Sequence, residues 1–447
     1  MAKSVNPKSC IVIGAGLSGL AAAYELTKHK WKVTVLEAQD FTNGRVYSFR
    51  FKKAPGLVCE LGGEWIGDGH EAMLALCDEL GLETMRHRFD FFFVNKGKPE
   101  KKKYKAGKSP FTKRSRDAYN KLNEASKHWI PAQREILDRK DWWTILRDAG
   151  FVESELQRRD LMDSTDFGET IRQSGGYSAA AEYFESNASD EMDKKIVGGN
   201  EELPKALKKK IVAGGGKILI SRRVWKIDQT DPLKSVIVHT TGRRTPFHAK
   251  YCICTVPARA LTKIKFRPGL PDEQWDSAKQ LQYARIMKTA ILCDTRFWKK
   301  KYKRFSCFTD TTSDFLFDAT MGQLEPIGPD GKRDKRGILC SYAIGDKADD
   351  LAAYSKRHLM ERLQQNIGDI FPGVKFRILD IKRQPWQANK YTQGAYGFYR
   401  PGQWFTVREI LARPFGRVYF AGEHIADDQG FMEGAVDTGR AAAQAIL

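Results

Sequence analysis

The fold is decided by the stretch Cys10-Ile11-Val12-Ile13-Gly14-Ala15-Gly16-Leu17-Ser18-Gly19-Leu20 near the N-terminus. Its apolar first half predicts a buried strand, and the alanine-rich residues that follow predict a helix. The spacing Gly-x-Gly-x-x-Gly between them allows a tight turn, a close backbone approach to a pyrophosphate and close packing of helix on strand. The N-terminus of such a helix favours phosphate charge. We therefore predict a dinucleotide site formed by Gly14, Gly16, Leu17, Ser18 and Gly19.

A second predicted strand supports this site. It is Lys32-Val33-Thr34-Val35-Leu36, and Glu37 follows it eighteen residues after Gly19. An acid at this place accepts hydrogen bonds from a ribose 2′-hydroxyl. We add Glu37 and Ala38 to the predicted site, and the fold class is α/β with a Rossmann-type nucleotide-binding domain.

Further motifs at both ends of the chain resemble those of the flavin-containing amine oxidases. They are Gly44-Arg45, Leu61-Gly62-Gly63-Glu64-Trp65, Tyr419-Phe420-Ala421-Gly422-Glu423-His424 and Gly430-Phe431-Met432-Glu433-Gly434. The resemblance covers nearly the whole chain and implies FAD as the cofactor. In that family a glycine-flanked arginine, here Arg45, contacts the FAD diphosphate. The turn that corresponds to Gly62 and Gly63 passes close to the flavin.

The resemblance also implies the other FAD contacts. A helix that begins near Met432 directs its N-terminal amides at the flavin and stabilises negative charge on the reduced ring. Val224 presents backbone groups to the adenine. Ala395 stands where mammalian monoamine oxidases carry the cysteine that binds FAD covalently, so we expect non-covalent FAD. These expected contacts are Gly44, Arg45, Gly62, Gly63, Glu64, Trp65, Val224, Trp386, Gly422, Glu423, Gly430, Phe431 and Met432.

Lys288 is the first catalytic candidate. It lies among strand-forming apolar residues, so its side chain either extends to solvent or points into a polar cavity. In the amine oxidases a lysine at this place, with the same spacing to a Phe-Trp pair (here Phe297-Trp298), holds a water against the flavin. We expect burial to lower the pKa of the Lys288 ammonium and to assist proton handling when reduced flavin meets oxygen.

An aromatic pair completes the expected catalytic set. Trp386 and Tyr396 are ten residues apart, as in the monoamine oxidases. There the tyrosine and a second aromatic residue, here Phe431, form two walls between which the amine nitrogen approaches the flavin. The expected catalytic residues are therefore Lys288, Tyr396, Phe431 and Trp386. The acids Asp163, Asp166 and Glu169 are assigned only helix caps or substrate contacts.

The expected reaction is FAD-dependent oxidative deamination of an L-α-amino acid to a 2-oxo acid, with release of ammonia and hydrogen peroxide. The net charge of +20 suits a carboxylated substrate better than a polycation. A substrate carboxylate favours an arginine as its anchor, and Arg86 is the candidate. Tyr396 and Phe431 are the other expected substrate-binding residues. The alternative is a monoamine or polyamine oxidase, in which Glu64 or another acid holds a distal cation. A flavin-dependent desaturase or isomerase is a third class.

Composition sets the remaining expectations. The 447 residues are 41% hydrophobic and 29% charged, as in a globular enzyme of two domains. No apolar run reaches the roughly 18 residues of a membrane span, and the start leaves no room for a signal peptide. We expect a cytoplasmic homodimer with eight buried thiols, no metal site and no membrane contact.

The basic segment 96–116 raises the possibility of nucleic-acid binding. A solvated β-hairpin that precedes a helix explains it more simply, because no nucleic-acid reader motif accompanies the charge. The predicted partners are therefore a small amine or amino acid and molecular oxygen, with no specific nucleic acid.

The motifs divide the chain into alternating segments. FAD-binding segments are predicted at 1–85, 196–275 and 385–447. A mixed α+β substrate domain is predicted from the helical segment 86–195 and from 276–384. Within the latter domain we predict helical pieces over 161–185 that break at Gly175-Gly176, one helix over 351–370 and a charged turn at 330–337.

Overall fold

Five parallel strands form the sheet that carries the glycine motif. The computed structural model describes residues 6–105, 107–186, 192–230, 235–323 and 334–447. All residues of the central strand Ser9–Ile13 are buried, and its side chains alternate between hydrophobic clusters on the two faces of the sheet. This confirms a discontinuous Rossmann-type domain. The strand order is Val418–Phe420, Tyr251–Cys254, Ser9–Ile13, Lys32–Leu36 and Lys217–Leu219.

Two helices from opposite ends of the chain pack on this sheet through glycines. Helix Leu17–Lys28 packs against the C-terminal helix Met432–Gln444. A Cβ atom on Gly439 would lie 2.2 Å from the Ser18 carbonyl oxygen, and one on Gly19 would lie 2.0 Å from the Gly14 carbonyl oxygen. Only a residue without a side chain permits either approach, so Gly19 serves the helix–strand packing predicted for the motif's third glycine.

A seven-stranded mixed sheet forms the second layer. Its second strand, Ile286–Cys293, is fully buried and pairs antiparallel with Gly337–Ile344 and Ile378–Pro385. Lys288 is therefore in the middle of a buried strand, as predicted. The strand order is Ile378–Pro385, Ile286–Cys293, Gly337–Ile344, Phe315–Asp318, Phe305–Thr309, Asp90–Asn95 and Lys98–Pro99.

The other sheets are small. A four-stranded sheet contains Phe247–Ala249, Val236–Thr240, Val224–Asp228 and Lys265–Arg267. Three two-stranded sheets pair Ser48–Phe51 with Ala54–Glu60, Thr84–Arg86 with Lys194–Ile196, and Gln282–Tyr283 with Gly397–Phe398.

Helices fill the space around the sheets. The further α-helices are Glu71–Glu79, Lys113–Ser126, Pro131–Asp138, Trp142–Asp148, Glu153–Phe167, Gly176–Ala180, Glu202–Ala213, Ala258–Leu261, Asp272–Gln280, Gly345–Ala353, Lys356–Ile370 and Glu409–Ala412. Short 3₁₀ turns cover Phe297–Lys300, Trp386–Ala388 and Glu423–Ile425, and π-helical turns cover Ala181–Glu185 and Trp404–Arg408.

Two predicted helices differ from the structure. The helix expected over 351–370 is two helices, because Ser355 caps the second one by accepting the backbone N–H of His358. The break expected at Gly175-Gly176 is longer than predicted. It begins at Gly168, which ends helix Glu153–Phe167 in a left-handed conformation with φ 70°, and it ends at Gly175, the N-cap of helix Gly176–Ala180.

Other expectations agree with the described residues. The basic segment begins as a hairpin, in which Asp90–Asn95 pairs with Lys98–Pro99, and continues into helix Lys113–Ser126. All eight cysteines are buried thiols. Among the described residues no helix has the length and apolar character needed to cross a membrane. The predicted charged turn lies mostly outside the described residues, and the four boundaries between the five predicted segments stay predictions.

Candidate active site

A cavity of about 740 Å³ extends from the glycine motif to the seven-stranded sheet. It brings together the predicted site residues except Gly19, which packs behind the motif, and Arg86. The predicted residues in its wall are Gly14, Gly16, Leu17, Ser18, Glu37, Ala38, Gly44, Arg45, Gly62, Gly63, Glu64, Trp65, Val224, Lys288, Trp386, Tyr396, Gly422, Glu423, Gly430, Phe431 and Met432.

Glu37 is fixed at the nucleotide end of this cavity. Its Oε2 accepts the backbone N–H of Ala15 at 2.7 Å, and its Oε1 accepts that of Gln39 at 2.8 Å. Burial raises the pKa of Glu37, and these backbone hydrogen bonds oppose the effect. The carboxyl group thus ends the second nucleotide strand at the place predicted for ribose recognition.

The glycine turn fits an anionic diphosphate. The Ser18 hydroxyl is buried, lines the cavity and has no hydrogen-bond partner among the described residues. Gly16 is the N-cap of helix Leu17–Lys28, so no side chain caps the N-terminal amides of this helix. A Cβ atom on Gly44 would lie 3.0 Å from the Gly16 Cα atom, so two glycines form the wall. Open amides, a spare hydroxyl and a wall without side chains are what a bound phosphate requires.

Arg45 reaches the same cavity from the opposite wall. Its Nη1 donates to Glu423 Oε1 at 2.6 Å, and Glu423 also accepts the backbone N–H groups of Gly397 and Gly430. Burial acts to lower the pKa of Arg45, but the charge and hydrogen bond of Glu423, together with Tyr283, raise that pKa. The guanidinium is therefore a fixed positive charge in the wall, as the diphosphate role needs.

The C-terminal helix points its N-terminus at the cavity. It begins at Met432, as predicted, and Phe431 precedes it without a side-chain cap. The Met432 side chain packs on Gly63, where an added Cβ atom would lie 3.0 Å from the Met432 Cγ atom. The Gly62–Gly63 turn and the positive end of this helix are therefore neighbours, an arrangement that stabilises negative charge between them.

Lys288 belongs to a buried ionic cluster. Its Nζ donates to Glu64 Oε2 at 2.6 Å and to the Gly62 carbonyl oxygen at 3.0 Å. The other carboxylate oxygen of Glu64, Oε1, accepts Lys195 Nζ at 2.5 Å. Glu64 therefore binds two ammonium groups at once.

This cluster corrects two expectations. Burial is the strongest single effect and acts to lower the pKa of Lys288, but the charge and hydrogen bond of Glu64, together with Cys340 and Tyr342, raise that pKa above its ordinary value. Burial likewise acts to raise the pKa of Glu64, and the charges of Lys195 and Lys288 reverse this and lower it. Lys288 is a permanent cation, and Glu64 is occupied and unsuited to hold a distal substrate cation.

Hydrogen bonds orient the aromatic residues of the wall. The Tyr396 hydroxyl donates to the Thr165 carbonyl oxygen at 2.9 Å, and the Tyr342 hydroxyl donates to the same oxygen at 3.2 Å. The Trp386 indole donates to the Leu61 carbonyl oxygen at 2.8 Å. An added Cβ atom on Gly430 would lie 3.0 Å from the Tyr396 ring, so Tyr396 stands close to the segment that carries Phe431.

Asp166 follows Thr165 and is exposed to the cavity, whereas Asp163 and Glu169 are buried. The Tyr183 hydroxyl donates to Asp166 Oδ2 at 2.8 Å. Removal from bulk solvent raises the pKa of Asp166 to about 7. Asp163 pairs with Arg159 at 2.8 Å and Glu169 with Arg285 at 2.9 Å, so of the three acids Asp166 is the one placed to meet a substrate.

Arg86 is not a wall residue of the cavity. Its guanidinium pairs with Asp193 at 2.9 Å and Asp68 at 3.1 Å, and its side chain is 47% exposed. Arg86 is on strand Thr84–Arg86, which pairs with Lys194–Ile196. The prediction of Arg86 as a carboxylate anchor is therefore wrong, because Asp68 and the buried Asp193 bind this guanidinium outside the cavity wall.

The fold and the cavity define a two-layer flavoprotein with a Rossmann-type FAD domain. The chain belongs to the family of flavin-containing amine oxidoreductases, whose model matches residues 17–447. FAD is accordingly its cofactor, and Ala395 offers no nucleophile, so the FAD is held non-covalently.

Known relatives include two kinds of oxidase. Amine oxidase [flavin-containing] A of Canis lupus familiaris is 25% identical over 463 residues, which cover 98% of this chain and 84% of that protein. The L-amino-acid oxidase of Echis ocellatus is 25% identical over 477 residues, which cover 99% of this chain and 90% of that protein. The relatives therefore leave the substrate class open.

Two solved structures share the fold. Putrescine oxidase bound to putrescine superposes with a TM-score of 0.84 at 20% identity, with 98% of each chain covered. Cyclohexylamine oxidase from Brevibacterium oxydans IH-35A gives a TM-score of 0.80 at 22% identity, also with 98% of each chain covered. At these identities the likeness establishes the arrangement of the chain.

Sequence reasoning missed Lys195 and did not single out Asp166 among the three acids assigned helix caps or substrate contacts. Lys195 stands in the run Asp193-Lys194-Lys195, which is typical of a solvated turn. One feature of the sequence pointed to Asp166: it is three residues after Asp163 on the same helical face. Ordinary solvent-exposed helix faces show the same spacing, so this feature is not specific. Three-dimensional contact, not local pattern, identifies both residues.

Proposed function

We propose that this enzyme oxidises amines without a carboxylate, with release of an aldehyde or ketone, ammonia and hydrogen peroxide. The observation that carries the proposal is the charge distribution at the Lys288 end of the cavity. There the Lys288 ammonium of the wall is paired with Glu64, and Asp166 presents an acid to the open space. A carboxylated substrate would meet repulsion there, and a cationic amine would be attracted.

The other cations of the described wall support this reading. Arg222 donates its backbone N–H to the Glu37 carbonyl oxygen, so Arg222 and the adjacent Arg223 lie beside the nucleotide strand. Arg45 is paired with Glu423, and Lys390 adjoins Ala38. Lys263 follows the short helix Ala258–Leu261, just after a strand of the nucleotide sheet. These cations belong to the FAD end.

Aromatic residues dominate the described wall at the Lys288 end. A wall of this kind binds apolar substrate groups and disfavours charge, so it lowers the pKa of a bound ammonium. The aromatic wall residues at this end include Trp65, Phe89, Phe308, Phe315, Phe317, Tyr342, Trp386, Tyr396 and Phe431. We infer a substrate with an apolar, preferably aromatic, side chain.

The chain's own groups would act in sequence on such an amine. Asp166 attracts the ammonium and accepts its proton, which leaves the nitrogen lone pair free. Tyr396 and Phe431 then orient the neutral nitrogen, and the apolar walls exclude water. Bound FAD supplies the chemistry of accepting a hydride equivalent from the α-carbon and passing the electrons to oxygen. Lys288 holds a fixed positive charge beside the Gly62 carbonyl oxygen throughout.

The test compares substrates that differ only in the carboxylate. Peroxide release would be measured with 2-phenylethylamine, L-phenylalanine and D-phenylalanine at equal concentrations. We expect kcat/KM for the amine to exceed that for either amino acid by roughly a hundredfold, because the carboxylate meets Asp166 without a partner. Faster oxidation of the L-amino acid would overturn the proposal and restore L-amino-acid oxidation, the reaction first expected from the sequence.

A further inference from the structure

We infer that Lys195 is a positioning residue, which acts through Glu64 to fix the Lys288 ammonium and to keep the three-residue cluster at a net charge of plus one. The cluster consists of Lys195, Glu64 and Lys288, and the name ionic triad is used for it below. The inference concerns the charge that these residues present to bound FAD and is independent of which amine is oxidised.

Strand alternation directs Lys195 inward. Lys194 and Lys195 are consecutive in strand Lys194–Ile196, so their side chains point to opposite faces. Lys194 has a side chain 14% exposed and forms an ion pair with the partly exposed Asp68, whereas Lys195 has a side chain 4% exposed and pairs with Glu64. Two chemically identical neighbours thus have different environments, which supplies a matched control.

The triad is assembled from three distant parts of the chain. Glu64 follows the Gly62–Gly63 turn, Lys195 comes from a two-stranded sheet and Lys288 from the seven-stranded sheet. A lysine is costly to bury unless it is paired, so an accidental arrangement of this kind would be strongly disfavoured. The Lys195 Nζ also lies 4.4 Å from the Trp65 ring centroid, a cation–π contact that holds the ammonium in place.

Each oxygen of Glu64 has one assigned partner. Oε1 accepts Lys195 and Oε2 accepts Lys288, at 2.5 and 2.6 Å. Without Lys195, both oxygens would be free to turn toward Lys288 and draw its ammonium away from the Gly62 carbonyl oxygen. Lys195 therefore decides where the charge of Lys288 sits relative to the Gly62–Gly63 turn.

The charge count covers the three groups of the triad itself. One further carboxyl, that of Glu60, interacts with Lys195 and Glu64, and burial raises its pKa. Burial and the charge of Lys195 hold the pKa of His87 well below its ordinary value, so His87 is neutral. A hydrogen bond from Cys340, followed by burial, raises the pKa of the Cys59 thiol, and burial raises that of Tyr342. Glu60 directs its carboxyl group at the Ser48 hydroxyl, 2.7 Å away. Two ammonium groups and one carboxylate leave one positive charge.

A net positive charge beside the flavin stabilises the electron-rich reduced form. Lys195→Met would neutralise the triad and leave Glu64 and Lys288 as a closed pair. We expect the ratio of reduced to oxidised FAD at a fixed potential to fall about tenfold, which is about 30 mV for a two-electron couple. The midpoint potential of the purified holoenzyme, titrated against a reference dye, measures this without any substrate.

Three further variants separate charge from packing. Lys194→Met and the charge-preserving Lys195→Arg should both leave the potential at the wild-type value. The double variant Glu64→Gln with Lys195→Met restores one positive charge, carried by Lys288, and should return the potential toward the wild-type value. FAD content and thermal unfolding of each variant confirm that the cofactor is bound and the protein folded.

The outcomes are decisive in both directions. A lower potential in Lys195→Met that the double variant reverses supports the inference. Equal potentials for Lys195→Met, Lys194→Met and the wild type would overturn it, as would failure of a folded, FAD-loaded double variant to recover. Because the potential is measured without an amine, neither result depends on the proposed substrate class.

Discussion

Arg45 and Glu423 form a 2.6 Å ion pair across 378 positions of the chain. The pair joins the Gly44-Arg45 motif near the N-terminus to the motif at residues 419–424 near the C-terminus. Both residues line the cavity. A buried carboxylate that also accepts the backbone N–H groups of Gly397 and Gly430 is a structural centre of the site. The two ends of the chain therefore depend on each other before any cofactor is bound.

Glu423→Gln should weaken this connection. The amide keeps the shape but leaves the Arg45 guanidinium without a counter-charge, so we expect the free energy of unfolding to fall by about 2 kcal/mol. FAD affinity should fall with it. Thermal unfolding and FAD titration of the apoprotein measure the two effects. Glu361→Gln, which removes an exposed pair with Arg357, is the control and should change neither.

Gly439→Ala should be strongly destabilising. The added methyl group would lie 2.2 Å from the Ser18 carbonyl oxygen, where backbone and not a movable side chain fills the space. We expect a loss of about 3 kcal/mol as the C-terminal helix is displaced from Leu17–Lys28. Gly368→Ala is the control, because nothing lies within 4 Å of its Cβ position in helix Lys356–Ile370, and alanine there should raise stability by about 0.5–1 kcal/mol. Equal denaturation midpoints for the two variants would contradict the packing argument.

Glu64→Gln and Lys288→Met should differ in stability, although both substitutions remove the ion pair between Glu64 and Lys288. Glu64→Gln leaves two buried ammonium groups without a carboxylate and should cost about 3–5 kcal/mol at pH 7. Lys288→Met should cost less, since Glu64 keeps Lys195 as a partner.

The pH dependence provides a check on this difference. The pKa of Glu64 is lowered in the folded protein, so its contribution is present above the ordinary carboxyl pKa and is lost as pH falls through the lowered value. Denaturant unfolding at pH 7 and pH 4 should show the penalty of Glu64→Gln shrinking in acid. A penalty that stays constant with pH would argue against an ionised Glu64.

The sequence predicts the FAD end of this protein better than the substrate end. Glycine turns, an acid after a strand and a helix at Met432 are local patterns with a fixed chemical use, and the structure places them around one cavity. The partner of Lys288 could not be predicted, because Glu64 and Lys195 meet only through tertiary folding. The prediction of Arg86 as a carboxylate anchor failed for the same reason. The acids that pair with Arg86, Asp68 and Asp193, are not evident from its neighbours in sequence. The cytoplasmic location and the homodimer stay predictions.

Asp166→Asn should change how activity depends on pH. Asp166 has a pKa of about 7, so in the wild type its carboxylate forms as pH rises through that value and attracts a cationic amine. We expect kcat/KM for 2-phenylethylamine to rise across pH 6–8 in the wild type, to lose that rise in the variant, and to be about tenfold lower in the variant at pH 8. The rate of anaerobic flavin reduction by 2-phenylethylamine, measured at several pH values for the wild type and the variant, tests these expectations. Identical pH profiles would remove Asp166 from substrate binding.

The same substitution should stabilise the protein at high pH, because burial disfavours the ionised Asp166 carboxylate in the folded state. The pKa of Asp166 is about 7 when folded, above the ordinary 3.8, so the folded state binds the proton more tightly than the unfolded state. The stability that this proton provides is full below about pH 4 and is lost as pH rises toward 7. Asn carries no charge, and Tyr183 still donates to its amide oxygen. Asp166→Asn should therefore raise the melting temperature at pH 8 and change it little at pH 4.5. The exposed Asp350→Asn should shift neither value, and a wild-type enzyme more stable than Asp166→Asn at pH 8 would contradict the raised pKa.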